Sequence, residues 1–486
     1  MQLCLINNDF KYELEKLIRI FLPFEKIEFL DYRVQGDCVA IADLSENALA
    51  ELFINGKHFS STRAIESVNG DFLKDSELFL ALALFDCLKE CFNYSPQWGI
   101  LTGVRPAKLF SRITKTKGIE FAENYFKNYL MVSDKKIALC KETVKGENKI
   151  TEKSRPDSFS LYISVPFCPS RCNYCSFVSH SVEQAKAYIP QYVDLLCEEL
   201  KITAKKARAN NLKLMTVYIG GGTPTTLSPQ QLTRVMNTVR ENFDLSGVLE
   251  YTVEAGRPDT ITKEKLLAIK QGGATRISIN PQTMNDKVLE IIGRRHTALQ
   301  TEEAFNLARE CGFDNINMDL IAGLLGDDLE SFKQTVLKIT SLNPESVTVH
   351  SLSMKRASNL TVSGNLPEIE MGKIASDMVD FAYNHLNKNC IVPYYMYRQS
   401  KTVGNLENVG YSKIGFECLY NVYIMDETHT ILACGASAVT KLREPNGEKI
   451  ERIFNFKYPY EYINRFDELM ERKDGIDNFY LDYKIN

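Results

Sequence analysis

Three cysteines, Cys168, Cys172 and Cys175, fall within the eight-residue run CPSRCNYC. Cysteine thiolates hold iron–sulfur clusters and zinc. A [4Fe–4S] cluster normally takes four of them, so a C-x3-C-x2-C run holds three irons and leaves the fourth open to a group other than protein. An open iron is what is needed to reduce a bound ligand rather than pass an electron onward. A structural zinc site would want a fourth Cys or His with its own spacing. His180 stands near, but no second paired knuckle accompanies the trio. The other ten cysteines (Cys4, Cys38, Cys87, Cys91, Cys140, Cys197, Cys311, Cys390, Cys418 and Cys434) lie mostly in apolar contexts. They are expected in the core, where free cysteine is common.

The elements that must position this trio follow from the pattern around it. Short β-branched or aromatic runs recur at Phe159–Val165, Met215–Ile219, Glu250–Glu254, Thr275–Asn280, Ile316–Ile321 and Ser346–Val349. Helical patterns separate them. Ser228, Pro229 and Gln231 read as a capping box ahead of an apolar face at Leu232, Val235, Met236, Val239 and Phe243. A second helix runs from Thr262 to a glycine stop at Gly272–Gly273. Strands alternating with helices imply parallel strands joined by right-handed crossovers. Six such units are fewer than the eight of a closed barrel. The expected fold is therefore α/β, a partial (β/α)6 barrel with an open side and a further piece to cover it.

Chemistry in such barrels collects where the strands end. Here the strand ends are polar in turn: the cysteine loop, then Gly220-Gly221-Gly222-Thr223, Glu254, Asn280 and Gln282, Asp319, and His350 with Ser353. A triple-glycine turn lets backbone approach a ligand closely and offer carbonyls to an ammonium group. A buried Glu254 calls for a cationic or hydroxyl-bearing ligand. Asp319 suits ribose hydroxyls, and Arg294 a carboxylate. A ligand with an amine, a carboxylate, a sugar and a base, able to chelate iron, matches S-adenosylmethionine. The glycine turn lacks the Gly-Lys-Ser/Thr of a phosphate loop.

The 486 residues suggest about three domains. We expect residues 1–155 as an N-terminal α/β domain of unknown role, 156–355 as the barrel and 356–486 as a C-terminal lid. The charged stretch 141–149 reads as a linker, and WGILTGVRPAKLF (98–110) as a tight loop entering a helix. A net charge of −4 gives no electrostatic case for nucleic acid. The apolar run Leu78–Leu84 is too short to span a membrane and reads as a buried helix. Met1–Asp9 lacks a basic leader region, and thirteen cysteines suit a reducing cytoplasm.

CPSRCNYC after the first strand, with GGGTPT after the second, resembles the radical S-adenosylmethionine (SAM) superfamily. YISVPFC (162–168) and DLIAGL (319–324) narrow the likeness to the oxygen-independent coproporphyrinogen III oxidases and their relatives. VEAGRPDTI, RISINPQTM, WGILTGVRPAKL, GNLENVGY (404–411) and YNVYIM (420–425) are similar to the HemZ-type coproporphyrinogen dehydrogenases. The superfamily likeness covers about 158–355; the HemZ-type likeness spans most of the chain.

The resemblance implies that Cys168, Cys172 and Cys175 hold a [4Fe–4S] cluster that cleaves SAM. It implies that Tyr162, Gly221, Glu254 and Ser353 bind the cluster-attached SAM. It further implies that Tyr174, Gly222, Thr223, Gln282, Arg294 and Asp319 bind a second one. The implied activity converts two propionates of coproporphyrinogen III to vinyls, giving protoporphyrinogen IX. The four substrate carboxylates would need cations, with Arg294, Arg295, Lys355, Arg356 and Arg398 as candidates and His296 and His350 nearby in sequence. The aromatic cluster Tyr394, Tyr395 and Tyr397 could face a macrocycle or pack in the core. The chain departs from the family pattern at Phe177, where the oxidases have a further cysteine, at Leu325 for a usual proline, and at Ser353 for an alanine. A Phe at position 177 also occurs in relatives that handle haem. The alternative is therefore a haem chaperone, or an enzyme that methylates or degrades haem. The expected partners are a porphyrinogen or haem-type substrate and a small flavodoxin or ferredoxin as electron donor, with the chain a monomer.

Overall fold

The structure is a computed structural model and describes residues 1–175, 180–353 and 368–483. Phe177, Lys355 and Arg356 lie outside the described residues. The chain divides into two compact units. One holds Met1–Lys141 with the described residues of 365–376 and Tyr397–Glu407. The other holds the described residues of 142–364, 377–396 and 408–486.

In the first unit, strands β1 (Gln2–Ile6), β2 (Glu28–Leu30), β3 (Val39–Asp43), β4 (Ala48–Ile54) and β5 (Lys57–Arg63) form a sheet in the order β2-β1-β3-β4-β5. β4 alternates buried and part-exposed residues, as a strand covered on one face must. Helix Phe72–Phe92 packs on β4 and β5. It starts where the Asp71 carboxylate accepts from Leu73 N and Lys74 N, and stops at left-handed Asn93. Its residues Leu78, Leu80, Leu82 and Leu84 are buried, and no described helix is long and apolar enough to cross a membrane. The WGILTGVRPAKLF segment does enter a helix, Pro106–Lys117, with proline at its first turn. Its Trp98 is fully buried, and Nε1 donates to Glu407 Oε2 at 2.6 Å. Lys136 Nζ donates to the other carboxylate oxygen at 2.6 Å. The carboxylate in GNLENVGY is therefore a structural lock, its buried charge matched by a lysine.

In the second unit, among the described residues, eleven strands form one sheet. The barrel strands are β6 (Ser158–Val165), β9 (Lys213–Gly221), β10 (Glu250–Gly256), β11 (Arg276–Ile279), β12 (Ile316–Ala322) and β13 (Ser346–Ser351). A two-residue pair, β7 (Phe167–Cys168) and β8 (His180–Ser181), lies in the loop after β6. The barrel neighbours pair in parallel throughout. The capping box at Ser228 forms as expected on helix Pro229–Asn242, and Thr262 caps Lys263–Gln271. Strands β6 and β9 are buried nearly throughout, as a parallel sheet covered by helices requires.

Three expectations are corrected. Residues 141–149 are no linker: they lie within helix Asp134–Thr151. Leu139, Cys140, Thr143, Glu147 and Ile150 are buried at helical spacing, a periodicity hidden by polar composition. The described residues of 356–486 do not stand as a separate unit. Their strands β14 (Val392–Arg398) and β15 (Glu407–Ser412) extend the sheet beyond β13, while β16 (Thr430–Cys434), β17 (Val439–Arg443) and β18 (Ile450–Phe454) extend it beyond β6. β16 runs parallel to β6, so a seventh strand end joins the same rim. Nor are all ten remaining cysteines in the core: Cys390 is exposed, and Cys38 and Cys91 are half-buried. Cys87 is buried, and burial pushes its thiol up to about 12.

Candidate functional site

The cysteine loop leaves the end of β6 and is fixed at several points. Cys172 is buried, while Cys168 and Cys175 are half-buried. Cys175 N donates to Cys172 O at 3.1 Å, closing a turn that sets those two side chains. Asn173 is held by Ile292 O at its backbone N–H and by Ile291 O at its side chain, 3.0 and 2.9 Å. Ser170 is held by Arg257, whose Nη1 donates to its Oγ at 2.7 Å and reaches Cys172 Sγ at 4.0 Å.

The glycine turn after β9 braces this loop. Gly222 N donates to Val165 O (2.8 Å) and Thr223 N to Phe167 O (2.7 Å). Thr223 Oγ1 lies 3.6 Å from Cys168 Sγ. Gly221 has φ +108°, and a Cβ at Gly222 would come 2.5 Å from Phe167 O. The missing side chain at Gly222 thus makes room for the start of the chain's own cysteine loop.

Glu254 lies beside this turn. Its Oε1 accepts from Tyr218 Oη at 2.6 Å, and a Cβ at Gly220 would sit 3.0 Å from its carboxyl carbon. Burial pushes its carboxyl up to about 7, Asp319 adding to the rise and the Tyr218 hydroxyl opposing it. A carboxylate raised in this way is stabilised by any cation placed against it. Tyr162, Tyr218 and Tyr420 stack into a wall here, with Tyr218 and Tyr420 at 4.5 Å and Tyr162 at 6.2 and 6.0 Å from them. Tyr218 and Tyr420 join the candidate site only through the fold. The YNVYIM motif was a signal for Tyr420, but nothing local connects it to β9.

A second cluster lies on the same rim. The Tyr174 hydroxyl accepts from Arg294 Nη2 at 2.9 Å, and Arg294 Nη1 donates to Asn280 O at 2.8 Å. Asp319 accepts from Asn317 Nδ2 at 2.7 Å and lies 3.9 Å from His350. Burial pushes the Asp319 carboxyl up, but His350, Asn317 and Thr348 together hold it below the usual carboxylate range. Gln282 has φ +71° and a buried Oε1 with no partner, a strained residue with an acceptor to offer. Ser353 stands two residues past the end of β13. The structure thus gathers Tyr162, Gly221 and Glu254 on one side and Tyr174, Arg294, Gln282 and Asp319 on the other, with Gly222 and Thr223 at the cysteine loop.

Among the cationic candidates, Arg398 is not available: it is buried in the first unit and donates to the carbonyls of Leu101, Gly103 and Asn405. Arg295 is exposed and lies 4.0 Å from Glu183. His296 is buried, and burial with Arg294 pushes it down to about 3, so it is neutral. Tyr394 and Tyr395 are core residues. The unforeseen cation is Arg257, buried against the cysteine loop.

The donor set fits an iron–sulfur cluster with a cationic amino-acid ligand. Three thiols share one braced loop, an arginine faces one sulfur, and a raised carboxyl and an unpaired amide oxygen stand on the same rim. Among the described residues no three His, Cys, Asp or Glu side chains are gathered as a single metal ion would need.

Residues 162–339 match the family described as the Radical SAM superfamily. The oxygen-independent coproporphyrinogen-III oxidase-like protein HemZ of Bacillus subtilis (strain 168) is 38% identical over 381 residues, 78% of this chain and 76% of that protein. The heme chaperone HemW of the same organism is 38% identical over 194 residues, 40% of this chain and 50% of that protein. HemW of Lactococcus lactis subsp. lactis (strain IL1403) is 33% identical over 325 residues, 65% and 79% of the two chains. In structure, the chain is similar to the coproporphyrinogen III oxidase HemN of Escherichia coli, a radical SAM enzyme. The TM-score is 0.50 at 22% identity, covering 68% of this chain and 73% of that one, a likeness of fold.

Proposed function

The chain belongs to the radical SAM superfamily, among its HemZ- and HemN-like members, and from that premise we propose that it oxidatively decarboxylates propionate side chains of a porphyrinogen, coproporphyrinogen III to protoporphyrinogen IX. The observation that carries this reading is the likeness to HemZ over 78% of the chain, well beyond the superfamily segment. The family's cofactors are a [4Fe–4S] cluster and SAM, which when bound supply a 5′-deoxyadenosyl radical able to take a hydrogen atom from carbon. Cys168, Cys172 and Cys175 would hold three of the irons. Tyr162, Gly221, Glu254 and Ser353 would hold the SAM on the fourth. Tyr174, Gly222, Thr223, Gln282, Arg294 and Asp319 would form a second SAM site.

The chain's own work is to bind, orient and exclude water. Arg294 retains N–H groups beyond those given to Tyr174 and Asn280 for a substrate or cofactor carboxylate. The stacked tyrosines shield the Glu254 side of the site. In the proposed reaction the substrate propionate would give a hydrogen atom from its β-carbon to the 5′-deoxyadenosyl radical, then lose carbon dioxide and pass one electron to an external one-electron acceptor, leaving a vinyl group. The cytoplasm, a small flavodoxin or ferredoxin as electron donor, and a monomeric chain belong to the same proposal.

Glu254 gives this site a pH signature. A folded pKa of about 7 leaves the carboxyl largely protonated at pH 6 and largely charged at pH 8. The SAM sulfonium carries a fixed positive charge, so binding favours the deprotonated form and releases a proton below pH 7. SAM affinity should rise nearly tenfold per pH unit below about 7 and level off above it. Titration calorimetry with wild type and Glu254→Gln checks this; equal pH slopes in the two would remove Glu254 from the cofactor site.

Anaerobic incubation with a reductant, SAM and coproporphyrinogen III tests the activity. Protoporphyrinogen and 5′-deoxyadenosine are expected together. Cleavage of SAM without a vinyl product defeats the dehydrogenase reading. The second reading, a haem-handling relative, is favoured by the HemW chaperones, one of which is 38% identical over its matched segment. Stoichiometric haem binding without turnover would establish that one.

A further inference from the structure

Arg257 follows β10 in the segment Gly256-Arg257-Pro258-Asp259-Thr260, and its side chain is 4% exposed. The turn Pro258–Thr260 folds Asp259 back onto it. Thr260 fixes that turn, its N and Oγ1 donating to Arg257 O at 3.0 and 2.8 Å. Two guanidinium nitrogens then pair with the carboxylate: Nε with Oδ1 at 3.0 Å and Nη2 with Oδ2 at 2.8 Å. The third nitrogen, Nη1, faces the cysteine loop. It donates to Ser170 O at 3.2 Å and to Ser170 Oγ at 2.7 Å, and lies 4.0 Å from Cys172 Sγ. The pair is thus an oriented dipole with its positive end at a sulfur and its carboxylate on the far side.

Cluster potentials depend on net charge, hydrogen bonds to sulfur and solvent exposure. Reduction adds a negative charge to the cluster, so a nearby buried cation favours the reduced state. The cation's own counter-ion works against it, and the interior screens neither well. We propose that Arg257 and Asp259 act as an opposed pair that sets the reduction potential of the cluster held by Cys172, Arg257 raising it and Asp259 limiting the rise. This rests on the ligand role of Cys172 stated above. Arg257 is a positioning residue for the loop and a tuning charge for the cluster, and it need not touch SAM or substrate.

The test is a potentiometric titration of the full chain reconstituted with iron and sulfide, followed by electron paramagnetic resonance, with iron content measured on each variant. Arg257→Gln should shift the midpoint to more negative values. At a fixed poise its reduced-to-oxidised ratio should fall about tenfold, a 59 mV shift for one electron. Asp259→Asn should shift it in the opposite sense, and Arg257→Lys should fall between wild type and Arg257→Gln. A purely structural role would lower iron content in both variants without opposite shifts. Shifts of the same sign, or none with iron retained, overturn the proposal. Where Arg257→Gln holds no iron, Asp259→Asn decides alone: a positive shift supports the pair, and an unmoved or negative one overturns it. If wild type holds no cluster, the ligand assignment itself fails and takes this inference with it.

Discussion

Cys172→Ala is expected to give a folded chain that retains no full [4Fe–4S] cluster and forms no 5′-deoxyadenosine. Cys172 is buried, but its loop is held independently by the Ser170–Arg257 and Asn173–Ile291 hydrogen bonds. Removing one small side chain there should cost about 1 kcal/mol, typical of point substitutions. The chemistry loses far more, since a three-thiolate site cannot spare a ligand. Cys168→Ala and Cys175→Ala should behave alike. Cys418→Ala is the control: Cys418 is buried, and its Sγ donates to Glu250 Oε1 at 3.3 Å. It should keep full iron and the brown cluster absorbance. A Cys172→Ala protein with full iron content would overturn the ligand assignment.

Glu199→Ala should destabilise the chain by about 3–5 kcal/mol, the usual result of breaking a buried ion pair at one end. Glu199 is fully buried on helix Ile189–Ala209. Its carboxylate accepts from Gly435 N (2.7 Å), Asn455 Nδ2 (2.8 Å), Tyr462 Oη (2.6 Å) and Lys473 Nζ (2.9 Å). Four donors therefore lose one acceptor, and the Lys473 charge is left with the Ala433 carbonyl, 2.9 Å away. The knot lies where β16 runs beside β6, whose end begins the cysteine loop, so weaker cluster retention should accompany the loss. Urea unfolding measures the effect as a lower midpoint at constant slope. A loss under about 1 kcal/mol would show that the pair adds little over water.

The repeated strands were legible because each carries its own signal. Six apolar runs matched β6 and β9–β13 to within a few residues, and the Ser228 box and Thr262 cap stood where their side chains indicated. Asp134–Thr151 was not legible as a helix from 141–149 alone, since lysines and glutamates mask a face that only burial reveals. Arg398 looked like a free cation and is a buried anchor for carbonyls, because sequence does not say which carbonyls lie around it.

The sequence by itself determined the alternating α/β order, the trio of thiols and the polar residue at each strand end, all set by spacing over a few residues. The tertiary structure decided what meets across long separations. Strand β16 pairs with β6 some 270 residues away, Tyr420 stacks on Tyr218, and Arg257 crosses from one strand end to the sulfur of Cys172 at another. Such contacts depend on strand order and register, which no local periodicity encodes. They also decide the electrostatics: the cysteines were visible as candidate ligands, while the buried charge pair beside one of them appears only when the chain is folded.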